Sequence, residues 1–353
     1  MINIFNVKYM NQSIQMLILK LPVILIFFFS AFQISGQDLH YSQFYNSPLN
    51  INPALAGVFN GDHRVMLSMR DQWRFVPVPW LTFSGAYDRQ FYLKDQTKHF
   101  IGAGASFNYD RQGDSKLNLT TLSFSGAYHR ILSPKHILSG GIQLGVSTRG
   151  FNTESLTWDK QWDGDAFNAQ LPTGELFDNF ERIFFVETAL GINYRYQSGS
   201  RTYADIGVAA NHLIEPQTAF YDGDDTTLPR RYSLNAVGNV QLIDELDIQL
   251  QIMQQYQGPY KETVFGGLGK IYISQKRGKA IQLHVGAGYR TAKSLFPILA
   301  LQYNQYYVSL SYDYDTTEFN RILSSNRGGP EIHFRYIIAN VKPLNTFKVC
   351  PIY

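Results

Sequence analysis

About fourteen short segments of this 353-residue chain alternate apolar and polar side chains, and the connections between them alternate long and short. A strand with lipid on one side and a wet lumen on the other changes environment at every residue, so it needs no continuous apolar run. Loops on one side of the membrane grow, while turns on the other stay tight. The double alternation predicts an all-β fold, a transmembrane antiparallel β-barrel of about 14 strands. Charged residues are 17%, below the roughly 25% of soluble domains. Aromatic residues are 15%, with 23 Tyr and 25 Phe, which suits the aromatic girdles of a barrel. Mean hydropathy is −0.19, too polar for a helical membrane protein. The net charge of +3 is small and no Lys/Arg run occurs, which speaks against nucleic acid as a partner.

Lys8 and Lys20 precede the apolar stretch 21–34 (LPVILIFFFSAFQI), and Ser35-Gly36 supply small residues after it. This predicts a signal peptide over 1–36, since the stretch is shorter than the roughly 20 residues a spanning helix needs. No Cys follows it, so lipoprotein processing is not indicated. Residues 37–61 come next. Pro48, Pro53 and several Asn break any period there, yet the segment is rich in Tyr and Phe. It reads as an N-terminal periplasmic or plug segment that fills or seals the barrel from inside. The barrel itself is expected over 62–341. A periplasmic C-terminal tail, 342–353, carries the single cysteine, Cys350, so no internal disulfide framework exists.

Strands are expected at 64–73, 80–91, 99–110, 117–130, 136–151, 183–196, 201–213, 231–243, 246–256, 262–274, 280–290, 295–303, 306–315 and 330–340. The last is the clearest: Ile332, Phe334, Tyr336 and Ile338 point out, and Glu331, His333 and Arg335 point in. Inward charges cost little in a wet or plugged lumen and much in lipid. The long connections, 152–182, 214–230 and 316–329, fall on one side if the strands simply run up and down. Glycines are frequent in the strands, among them Gly102, Gly104, Gly140, Gly141, Gly266, Gly267, Gly269, Gly286 and Gly288. There they relieve crowding or let the wall bend. Gly102-Ala103-Gly104 lacks the third glycine and following helix of a dinucleotide fingerprint.

Catalytic and metal signatures are weak. No G-x-S-x-G elbow is present. His129, His136, His212, His284 and His333 lie in or beside strands and read as packed or lumen-lining. No H-x-x-x-H pair or Cys cluster suggests zinc. Two acidic loop tips, Asp159/Asp163/Asp165 and Asp222/Asp224/Asp225, resemble the start of a calcium loop but lack its distal bidentate Glu. No metal, cofactor or catalytic residue is therefore assigned. Candidate partner-binding residues are aromatic. Trp73, Phe75 and Trp80, with Trp158 and Trp162, lie near strand ends, as an interfacial girdle or as a docking surface for a large ligand. Tyr41, Phe44 and Tyr45 in the N-terminal segment, Asp222 and Asp224 in the acidic loop, and Cys350 complete the candidates.

Residues 37–45 (QDLHYSQFY), Ser47-Pro48-Leu49 and 52–57 (NPALAG) resemble the opening of the PorP/SprF family, outer-membrane proteins of the type IX secretion system of Bacteroidota. In order along the chain follow 70–73 (RDQW), 138–145 (LSGGIQLG), Asn211-His212-Leu213 with Pro216, Gly288-Tyr289-Arg290, 311–315 (SYDYD), 329–332 (GPEI) and 350–353 (CPIY). The acidic loop at 222–225 departs from the pattern. The resemblance implies a non-enzymatic barrel of the cell outer membrane that helps export or display a partner protein. The implied partners are a secreted type IX substrate or, in gliding species, a large surface adhesin. Periplasmic secretion-ring components and outer-membrane lipid complete the set. Two other readings stay open: a passive or hydrophobic-solute channel, and an acyl hydrolase, which requires a Ser/His pair at one membrane depth.

Overall fold

A computed structural model describes residues 38–72, 80–92, 98–153, 156–174, 182–220, 225–276, 278–291, 294–316 and 328–339. Its strands are β1 (His63–Gln72), β2 (Trp80–Tyr92), β3 (His99–Gln112), β4 (Leu117–Ser133), β5 (His136–Gly150), β6 (Arg182–Gln197) and β7 (Tyr203–Asn211). They continue as β8 (Arg231–Ile243), β9 (Leu246–Gln257), β10 (Tyr260–Ser274), β11 (Ile281–Arg290), β12 (Ser294–Tyr303), β13 (Tyr306–Tyr312, resumed at Tyr314–Asp315) and β14 (Pro330–Ile338). Each strand pairs antiparallel with the next, and β1 pairs with β14 to close the barrel. The closing register sets Ser68 opposite His333 and Arg70 opposite Glu331. Closure leaves no unpaired edge, the condition for a sheet to sit in lipid.

The alternation expected from the sequence is inverted relative to a soluble protein. On β5, Leu138, Ile142, Leu144 and Val146 are exposed, while Ser139 and Ser147 are buried. On β14, Ile332 is exposed, whereas Glu331 and His333 are fully enclosed. An apolar outer face of this extent is a lipid-facing wall. The connections 134–135, 198–202, 244–245 and 304–305 lie at one end, and 151–181, 212–230 and 316–329 at the other. These are called the short-turn and long-connection ends below.

Residues 41–57 are not a strand. Three short 3-10 turns, Phe44–Asn46, Pro48–Asn50 and Pro53–Leu55, fold them compactly. Asn52 caps the last turn by accepting from the Ala54 N–H at 2.9 Å. The segment touches inward side chains of β1, β2, β3, β4, β8, β11, β13 and β14, and backbone carbonyls of β1, β6 and β7. Only a course through the lumen allows contacts on so many walls. It runs from the long-connection end at Tyr41 to the short-turn end at Gly61, where β1 begins. Its first residues lie at the long-connection end of the lumen, where inward polar groups satisfy its backbone.

Candidate functional site

The lumen interior is the region where this chain concentrates its polar chemistry. Near the long-connection end, Glu331 accepts from the backbone N–H groups of Ser42 (2.8 Å) and Gln43 (2.7 Å). Asp313, just past the main run of β13, accepts from the Ser42 hydroxyl at 2.7 Å and from Arg70 at 2.6 Å. Arg290 bridges Ser42 Oγ and Glu262, both at 2.7 Å. Arg70 also donates to the His40 carbonyl at 2.9 Å. The Gln43 side chain donates to Ser311 at 2.9 Å and accepts from Ser309. Charge-assisted bonds to a backbone that water cannot reach are the strong kind, and each buried N–H needs such a partner.

The other end of the segment is held as firmly. Asp88 accepts from the Gly57 N–H at 2.7 Å and forms a bidentate pair with Arg64, at 2.9 and 2.7 Å. Gln90 donates to the carbonyls of Gly57 and Phe59 at 2.7 and 2.6 Å. His129 bonds the Ala56 carbonyl through Nε2 at 2.8 Å, with Ser139 on its other nitrogen. Between these anchors, Phe44 and Ile51 pack on Met253, Val264, Leu268, Phe296 and Ile298. The inward side chains of β9, β10 and β12 are thus apolar where the segment is apolar.

The strand glycines gain a specific reason here. A Cβ on Gly102 would overlap the Ala56 carbonyl, and one on Gly141 would overlap the Pro53–Ala54 backbone. Gly140, which faces out, has nothing within 4 Å of the same position. The inward glycines let two backbones approach closely, a tighter constraint than the general bending expected from the sequence.

Of the sequence-predicted partner residues, Tyr41 and Phe44 are buried, at 2% exposure each. Tyr41 donates its hydroxyl to Ser84 at 2.8 Å and stands edge-on to His333. Tyr45 packs beside Phe44. Burial pushes the Tyr41 and Tyr45 hydroxyls well above the ordinary tyrosine range, so both stay protonated. These three aromatic rings are turned onto the barrel's own wall. Trp80 opens β2 at the long-connection end and is half-buried. Trp158 is half-buried beside the turn Asp159–Gln161, while Trp162 is 57% exposed and paired by a β-bridge with exposed Phe167. Asp163 beside them accepts the N–H groups of Ala166 (2.8 Å) and Asp165 (2.9 Å), which lowers its pKa. Trp73, Phe75, Asp222, Asp224 and Cys350 lie outside the described residues. Among the described residues no group of three or more His, Cys, Asp or Glu is placed to hold a metal.

Ser68, His333 and Glu331 form a hydrogen-bonded chain, 2.7 Å at each step, with the residue types of a hydrolase triad but the ring nitrogens exchanged: Ser68 meets Nδ1 and Glu331 meets Nε2. Their exposures are 2%, 1% and 0%, and Tyr41 covers the histidine. A nucleophile must reach a carbonyl, and this serine faces a packed interior. The chain of bonds holds the segment in place. The sequence revealed Glu331 and His333 as inward residues. It missed Asp313, Arg70, Asp88 and His129 as holders of the segment, because their partners are distant in the chain.

The family model for the type IX secretion system membrane protein PorP/SprF matches residues 33–336. No curated protein matches. Among solved structures, the Pseudomonas putida toluene transporter TodX is 12% identical with a TM-score of 0.48, covering 82% of this chain and 91% of its own. A Pseudomonas aeruginosa FadL homologue is 10% identical with a TM-score of 0.47, covering 81% and 92%. Haemophilus ducreyi BamA lacking POTRA domains 1–3 is 10% identical with a TM-score of 0.37, covering 78% and 71%. Likeness at this level says nothing about cargo.

Proposed function

Because the chain belongs to the PorP/SprF family of type IX secretion system membrane proteins, we propose that this outer-membrane secretion component works by docking proteins, without an open lumen. In this reading the barrel helps export or display a partner protein at the cell surface, and residues 41–57 act as a built-in plug. The observation that carries it is the course of residues 41–57 through the lumen, bonded to the wall at both ends. Seventeen consecutive residues cannot be threaded out of a network with an acceptor or donor on most strands without leaving several buried groups unpaired, each at about 1–3 kcal/mol. A chain conduit needs the opposite, a weakly lined and wet pore.

The partner surface is then the long-connection face. Trp162 and Phe167 supply an exposed aromatic pair there, and aromatic residues dominate interface energetics. Partners consistent with the family are a secreted type IX substrate or large surface adhesin outside, and secretion-ring components on the periplasmic side. The test is a mild-detergent pull-down of the tagged protein from outer membranes, with mass spectrometry of the co-purifying proteins. A large secreted protein together with secretion-ring components is the expected result. A barrel that purifies alone and conducts ions in a planar bilayer would overturn the reading in favour of a solute channel.

A further inference from the structure

Below the segment, at the short-turn end, lies a cavity of about 480 Å³. Its wall is mixed. Ile131, Ile137, Val237 and Ile337 give apolar surface, and Tyr45 and Tyr203 give aromatic faces. That volume lies within the range of small-molecule sites, which are mostly apolar with a few placed polar groups.

Three arginines line it, and they are not equivalent. Arg64 is neutralised by Asp88 at 2.7 Å, and Arg195 by Asp205 at 3.2 Å. Arg335 has no carboxylate partner among the described residues. Its guanidinium lies over the Tyr307 ring, 4.3 Å from the centroid.

A half-buried cation without a counter-charge is costly to desolvate further, and in a mixed apolar cavity it is free to meet an anion. We propose that this cavity binds a small apolar anion, a carboxylate on an aromatic or aliphatic body, with Arg335 on the carboxylate and the isoleucines around the body. This site is separate from the protein-docking role and stands or falls without it.

The test uses the full-length protein in neutral detergent and three probes: 2-naphthoate, its neutral analogue 2-naphthamide, and inorganic phosphate. Calorimetric titration is expected to give saturable 2-naphthoate binding at least about tenfold tighter than either other probe. R335Q is expected to weaken it about tenfold to a hundredfold, the range of one charge-assisted hydrogen bond. Without probe, R335Q is expected to melt at or above the parent's temperature, because it removes a half-buried charge that has no carboxylate partner. Equal binding of naphthoate and naphthamide, or naphthoate binding untouched by R335Q, overturns the proposal. Phosphate binding as tightly as naphthoate overturns its apolar half. A ligand-free R335Q that melts well below the parent also overturns it, since that arginine would already be usefully partnered.

Discussion

Glu331→Ala is the sharpest probe of how the inner segment is held. The Glu331 carboxylate accepts from two backbone N–H groups, Ser42 at 2.8 Å and Gln43 at 2.7 Å, in a site with no solvent exposure. Removing it orphans both donors. Each buried orphan costs about 1–3 kcal/mol, so the docked state of this stretch weakens by about 2–6 kcal/mol. At 1.4 kcal/mol per tenfold, local opening becomes roughly 30-fold to 20,000-fold more frequent. The rest of the segment keeps its own anchors, Asp88 on Gly57 and His129 on Ala56, so the opening is confined to its beginning. Hydrogen exchange read by mass spectrometry on the full chain in neutral detergent measures this directly. The peptide covering 41–47 is expected to exchange at least about 30-fold faster, with β4–β6 unchanged. Glu331→Gln keeps an acceptor oxygen and should fall between the two. Unchanged exchange at 41–47 in Glu331→Ala refutes the reasoning. Equal loss of protection throughout the barrel also refutes it, because Glu331 would then support the whole barrel and not this docking alone.

Other consequences can be measured independently. Gly141→Val places a side chain where the Pro53–Ala54 backbone lies. In a Cys350→Ser background it should raise maleimide labelling of an Ala54→Cys reporter, whereas outward Gly140→Val should not. Overpacking of this kind costs about 1–3 kcal/mol. Deleting residues 41–57 should convert an electrically silent barrel into a conducting one in planar bilayers; silence after deletion would mean the segment seals nothing. Trp162→Ala should reduce recovery of the surface partner in the pull-down while leaving the melting temperature within about 1 °C, as expected for an exposed site far from the core. The lowered Asp163 pKa stabilises the 163–166 turn above the ordinary carboxylate pKa. That contribution fades as pH falls through the lowered value, so proteolysis at 162–167 should rise in strong acid and be insensitive between pH 6 and 8.

The strands were legible because a period of two survives whatever fills the lumen. On β2 the sequence separates Tyr87 from Ser84 and Asp88, and in the barrel Tyr87 is exposed while the other two are buried. Ends were less legible. The seventh strand was expected over 201–213 but stops at Asn211, because His212 turns into the left-handed region at φ 55° and its ring bonds Glu187 at 2.5 Å. The lumen network was hardly legible at all. Ser42 and Glu331 are 289 residues apart, and nothing local in either stretch announces the other. The glycine doublet at 140–141 was visible as a pattern, but only the register of β5 decides that Gly141 faces the segment and Gly140 the outside.

The closing seam has a consequence for assembly. Arg64, Ser68 and Arg70 stand on β1, and Glu331 and His333 on β14, the first and last of the described strands in chain order. The clamp on Ser42 and Gln43 does not exist until those two strands meet. Ser42 and Gln43 must therefore wait, unbound, for Glu331, and contacts of such sequence separation form slowly. Whatever assembles this barrel must keep a seventeen-residue leader inside the sheet while the seam is still open. A barrel that closes without it is left with several buried charges facing empty space, a defect that periplasmic proteases can recognise and remove.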